Sequence, residues 1–145
     1  YAHRRQLLAS IASVNPADLL QSWPDGRIKL FLTHRLLRFR REHAVLFHEG
    51  NYTPLRVTGT FAESCVAFLR QHEEEWFISV APRLCARVGF PPIGERWQDT
   101  RVEFPLGAGT PLVDLFTRRT TQVEGGSFAL SDALSALPFA LYTAA

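Results

Sequence analysis

Apolar residues recur with a helical period over the first third of the chain and with a strand period over the rest. Leu7, Leu8 and Ile11 predict a helix from Arg4 to Ser13. Asn15 is a good N-cap and Pro16 suits a first helical turn, so Pro16 to Trp23 reads as a second, short helix. Pro24-Asp25-Gly26 is a turn signal, because Pro fixes φ and Gly takes the left-handed conformation.

The third helix, about Arg27 to His43, is the most informative element. At 100° per residue, Ile28, Phe31, Leu32, Leu36 and Phe39 share one face. Leu30 and Leu37 form a second stripe on the opposite side. Lys29, Thr33 and Arg40 fill one flank; Arg27, His34, Arg38 and Arg41 fill the other. A surface helix needs one apolar face, so two stripes predict a helix covered on both sides.

After Glu49-Gly50-Asn51 the period changes to two. Leu55 and Val57 alternate with Arg56 and Thr58, which predicts one half-buried strand. Cys65–Arg70 and Trp76–Pro82 are apolar runs joined by Gln71–Glu75, a hairpin with a five-residue connection, and His72–Glu75 reads as a solvated loop. Val102 and Phe104 mark a strand over Thr100–Pro105. Leu106–Pro111 is a Gly/Pro loop, Asp114–Phe116 a short strand, and Gly125-Gly126 a turn before Ser127–Leu130. Ser131 or Asp132 caps a single helical turn, and Pro138–Tyr142 closes the chain as a strand. The pattern therefore gives an α+β chain: a helical segment over 1–48 and a β-rich module of seven or eight short strands over 49–145. Short strands at near-regular spacing favour a sandwich or a barrel.

Composition changes this picture little. Apolar residues make up 46% and charged residues 21%, which is ordinary for a globular protein and excludes disorder. Sixteen Lys+Arg stand against 14 Asp+Glu, and Lys29 is the sole lysine. A net charge of +2 argues against a dedicated polyanion binder. No apolar run reaches the 18 residues of a membrane span, and the first residues lack the apolar stretch and cleavage site of a signal peptide. A cytoplasmic location is expected. The abrupt helical start without an initiator Met suggests a piece of a longer chain.

Candidate chemistry is sparse. Glycoside chemistry needs paired carboxyl groups. Asp99, Glu103, Asp114, Glu124 and Asp132 lie in no recognisable pair and read as caps and loop acids. No G-x-S-x-G elbow and no phosphate-binding Gly loop occurs. His3, His34, His43, His48 and His72 are scattered, and the spacing of His43 to His48 is poor for a metal. Cys65 and Cys85 could form a disulfide, hold a reactive thiol, or serve as two small buried apolar residues. The cations Arg27, Lys29, Arg35, Arg38, Arg40 and Arg41 could meet phosphates, but they are split between two flanks, and Glu42 can pair with Arg38. Trp23, Tyr52, Trp76, Trp97 and Tyr142 are the candidate sugar platforms. Trp76 opens an apolar strand and reads as core; Trp97 lies in the loop GERWQDT, where an exposed ring could serve as a platform, although tryptophan is usually mostly buried.

WPDGRIKLFLTHRLLRFRREHAVLFHEGNYTPLRVTG, from Trp23 to Gly59, resembles the region after the catalytic barrel in the maltooligosyl trehalose synthases of the α-amylase superfamily. Trp23, Asp25-Gly26, Lys29, Leu36-Leu37, Arg40-Arg41, Leu46-Phe47, Gly50, Tyr52 and Pro54-Leu55 carry the resemblance. Val80–Leu84, Trp97–Thr100 and Leu137–Tyr142 are similar to that family's C-terminal domain. The resemblance implies that residues 1–48 are the terminal helices of a TIM-type barrel and that 49–145 form an antiparallel β-sandwich packed on it. It implies a parent isomerase of trehalose biosynthesis. That enzyme converts the reducing-end α-1,4 linkage of a maltooligosaccharide to an α,α-1,1 linkage by intramolecular transglucosylation. Its catalytic acids belong to barrel strands upstream of Tyr1, so no catalytic, cofactor-binding or metal-binding residue is expected in this chain. The expected partners are the barrel of the same parent chain and its maltooligosaccharide, with neither nucleic acid nor membrane; the free chain is expected to self-associate through its open stripes. An independent α-glucan-binding module is the alternative.

Overall fold

The computed structural model describes residues 2–11, 14–107, 109 and 111–143. The chain is α+β, with helices first and two antiparallel sheets after them. It divides into two compact units, Tyr1–Ala44 and Val45–Ala145.

The first unit holds α1 (Ala2–Ser10), α2 (Pro16–Gln21) and α3 (Arg27–Glu42). Residues 12 and 13, the end of the helix predicted over Arg4–Ser13, lie outside the described residues. Asn15 caps α2 as its sequence position predicts, its side-chain oxygen accepting the Ala17 N–H at 3.1 Å. A one-turn 3-10 helix over Trp23–Asp25 ends at Gly26, whose φ of 78° is left-handed. Asp25 then starts α3: its carboxylate accepts the Arg27 backbone N–H at 2.9 Å and pairs with Arg27 Nε at 2.7 Å.

The two stripes of α3 have different fates. Ile28, Phe31 and Phe39 are buried and Leu32 and Leu36 half-buried. On the other stripe Leu30 is half-buried and Leu37 is 61% exposed.

The second unit begins within α4 (Ala44–Glu49), which carries helix past the predicted end at His43. The single strand expected over residues 53–59 is two strands, β1 (Asn51–Leu55) and β2 (Val57–Thr58), which part company at Arg56 and join different sheets. The larger sheet runs β1-β3-β4-β9-β6-β7, with β3 (Cys65–His72), β4 (Glu75–Pro82), β6 (Leu112–Asp114), β7 (Thr120–Thr121) and β9 (Ala140–Thr143). The smaller is β2-β5-β8, with β5 (Arg101–Glu103) and β8 (Ser127–Ala129).

Register fixes which side chains meet. Leu55, Ala67, Val80 and Ala140 stand opposite one another across four strands. Leu69, Ile78, Tyr142 and Asp114 form the next row. Directly opposed residues share a face, so these rows make one apolar surface with one acid in it. Val57, Val102 and Phe128 align in the smaller sheet. One core takes Leu55, Ala67, Leu69, Ile78, Val80 and Tyr142 from the larger sheet and Val102 and Phe128 from the smaller.

Several boundaries differ from the sequence expectations. His72 pairs with Glu75, so the β3–β4 hairpin turns on two residues, Glu73 and Glu74, with Glu73 at φ 52°. Both His72 and Glu75 are therefore strand residues, because the backbone ladder continues through polar side chains. The strand expected over Asp114–Phe116 ends at Asp114, where the chain turns into β7, a strand too short and polar to show a period. The last helix, α5 (Leu130–Ala133), starts after Ala129 with no side-chain cap, so neither Ser131 nor Asp132 caps it.

Candidate functional site

The acids are held apart by different local structures. Asp99 accepts the Thr60 backbone N–H at 2.9 Å, and this bonding holds its carboxyl below the usual range. Glu103 is exposed at the end of β5 and stands 3.4 Å from Arg56. Glu124 is an exposed turn acid in a bridge with Ser127, and Asp132 is exposed on α5.

Asp114 caps a turn, in line with the reading of these acids as caps and loop acids, but it is not solvated. It is buried, because its place at the end of β6 puts it beside Tyr142 on the inner face. Its carboxylate accepts from Thr117 N at 3.0 Å, Thr117 Oγ1 at 2.6 Å and Leu141 N at 3.2 Å. Burial nevertheless raises its pKa, and these hydrogen bonds only partly oppose the shift. The acid fastens the Asp114–Thr117 turn to β9, a structural task.

Trp97 takes the buried alternative and not that of an exposed platform. It is fully buried at the end of a one-turn helix, Gly94–Trp97. Its Nε1–H donates to the Pro92 carbonyl at 2.8 Å, and Phe61 meets its ring edge-on at 6.5 Å. An apolar ring with one satisfied donor is stable inside, whatever polar residues flank it in sequence. Trp76 is half-buried and meets Phe104 edge-on at 6.0 Å; Tyr142 is buried. Among the five sequence candidates Tyr52 is the exposed one, at 57%, backed by Phe68 at 4.9 Å.

The two cysteines are free thiols. Cys65 lies in the core, and burial, with the nearby Cys85 adding to it, pushes its thiol up to about 12. Burial raises Cys85 as well. Neither has the depressed pKa of a reactive thiol, so the disulfide and reactive-thiol readings give way to that of two small apolar residues. No group of His, Cys, Asp and Glu suited to a metal occurs among the described residues. No family model and no curated protein matches this chain.

The cations of α3 are engaged in part. Arg38 Nε pairs with Glu42 at 2.9 Å one turn on, and Arg35 lies 5.5 Å from the centre of the Phe31 ring. Within the helical unit, α1 and α3 leave an open hollow of about 600 Å³. Leu8, Leu30 and Leu37 give it an apolar floor, and His34, Arg38 and Arg41 give it a basic rim. Leu8 is 42% exposed and Leu37 61%. The sequence marks the Leu30/Leu37 stripe, but the part played by Leu8 appears only when α1 is placed beside α3.

Proposed function

We propose that this chain is the C-terminal, non-catalytic part of an enzyme resembling the maltooligosyl trehalose synthases. In this reading, residues 1–48 are the last helices of its TIM-type barrel, and 49–145 are an antiparallel β-sandwich packed on that barrel. The parent is a cytoplasmic isomerase that moves the reducing-end glucosyl linkage of a maltooligosaccharide from α-1,4 to α,α-1,1. The observation that carries the reading is the open Leu8/Leu30/Leu37 hollow beside a helix face that is already buried. A helix with a second apolar stripe loses free energy when that stripe faces water, and a preceding barrel helix would cover it. The free chain would bury the same stripe by self-association. No helix among the described residues is long and apolar enough to cross a membrane.

The test compares the intact source protein with this chain on maltoheptaose, following loss of the reducing end and the α,α-1,1 anomeric signals by NMR. Conversion by the intact protein and none by this chain is the expected result. Conversion by this chain alone, or none by an intact folded source protein, would overturn the reading.

Tyr52 favours the α-glucan-binding module as a second reading, since its exposed ring offers the stacking face that Trp97 does not. Saturable maltoheptaose binding lost in Tyr52→Ala would support it.

A further inference from the structure

A second cavity lies in the β unit, beside the turn that Asp114 fastens, with a volume of about 230 Å³. Thr121 and Tyr142 form part of its floor: their hydroxyls share a hydrogen bond of 2.9 Å, and the Tyr142 O–H is 3.2 Å from the Ala133 carbonyl. These groups satisfy one another and make a rigid base. The wall carries polar groups of both kinds. Arg119 donates to Ser135 Oγ at 3.3 Å, Asp132 supplies an acceptor, and Gln122 offers both donor and acceptor. Phe139 adds an apolar wall, itself braced edge-on by Phe116 at 5.0 Å.

The geometry points to a binding site for an uncharged, hydroxyl-rich small molecule of about one pyranose ring, held between Arg119, Asp132 and Ser135 with a C–H face on Phe139. Three features select this class. Arg119 and Asp132 are of opposite charge, so the cavity favours neither a free anion nor a free cation. Hydroxyl groups donate and accept at once, which matches a wall that mixes the two. The volume of about 230 Å³ gives room for a single ring. This inference is independent of the family reading above, since it concerns a cavity that reading does not use.

The probe is methyl α-D-glucopyranoside, titrated into the 145-residue chain while backbone amide shifts are followed by NMR. At the efficiency typical of larger ligands, a molecule of this size binds with a Kd of about 1 mM. Saturable shifts are expected at Gln122, Ser135 and Ala136. Arg119→Ala and Asp132→Asn should each weaken binding by roughly tenfold or more, since a charge-assisted hydrogen bond is lost. Arg119 and Asp132 are both exposed, so the variants should keep the wild-type spectrum away from the cavity. Should either spectrum collapse, Ser135→Ala takes its place. Absence of saturable shifts, shifts indifferent to the substitutions, or equal binding of inorganic phosphate at the same amides would each overturn the assignment. Failure here leaves maltoheptaose conversion by the intact protein untouched.

Discussion

Replacing Trp97 with alanine should unfold this domain more readily and leave sugar affinity alone. The indole is fully buried in the core of the β unit. A buried tryptophan removes roughly 150–250 Å² from water, which at about 25 cal/mol per Å² amounts to about 4–6 kcal/mol. Alanine keeps a small part of this, the cavity does not fully collapse, and the Pro92 carbonyl loses its 2.8 Å donor. Measured aromatic-to-alanine costs of about 3–5 kcal/mol agree, so we expect about 4 kcal/mol. For a unit of roughly 100 residues that lowers Tm by at least about 15 °C. Urea and thermal unfolding followed by far-ultraviolet circular dichroism measures it. Trp97→Phe separates the terms: it keeps most of the ring and should cost about 1–2 kcal/mol, largely for the orphaned carbonyl. A loss below about 1 kcal/mol for alanine is the signature of a surface position. Together with weakened maltoheptaose binding, it would restore the exposed-platform reading and refute the core assignment.

Three further outcomes are expected. Asp114 has its carboxyl pKa raised by burial, so the folded state holds more protons than the unfolded state between the ordinary carboxylate value and the raised one. Stability from this group is therefore present at low pH and falls as pH rises through that window; the advantage of wild type over Asp114→Asn should narrow with rising pH in urea titrations, and a constant or widening gap would contradict the assignment. Gly59→Ala should cost about 2 kcal/mol or more by chemical denaturation, because φ is 95° and an added Cβ would lie 2.7 Å from the Asp99 carbonyl oxygen and 2.8 Å from Thr100 Cα; a neutral result would mean the β2 turn relaxes freely. Thiol labelling near pH 8 should modify half-buried Cys85 well before Cys65, whose thiol is pushed up to about 12, and equal rates would show that β3 opens readily.

Local signals in the sequence determined the local structure. Asn15-Pro16 and Asp25-Gly26 mark where helices begin and turn, because capping and left-handed φ need only neighbouring atoms. The period of Ile28, Phe31 and Phe39 defines the buried face of α3, and Ala67, Leu69, Ile78 and Val80 define the inner face of a hairpin. Paired catalytic acids are not legible in the pattern, and the five candidates occupy separate local structures. Tertiary structure decided what periodicity cannot carry. Arg56 looks like any outward strand residue, yet the chain changes sheets there, since sheet membership depends on partners distant in sequence. Trp97 sits among polar neighbours but enters the core, because burial follows from a ring's surroundings in space. Asp114 becomes a buried fastener, and Arg119, Asp132 and Ser135 share a cavity, only when β6, β9 and α5 come together. A one-dimensional pattern records which face of an element is apolar; what lies across from that face is set by packing between elements, through contacts far apart along the chain.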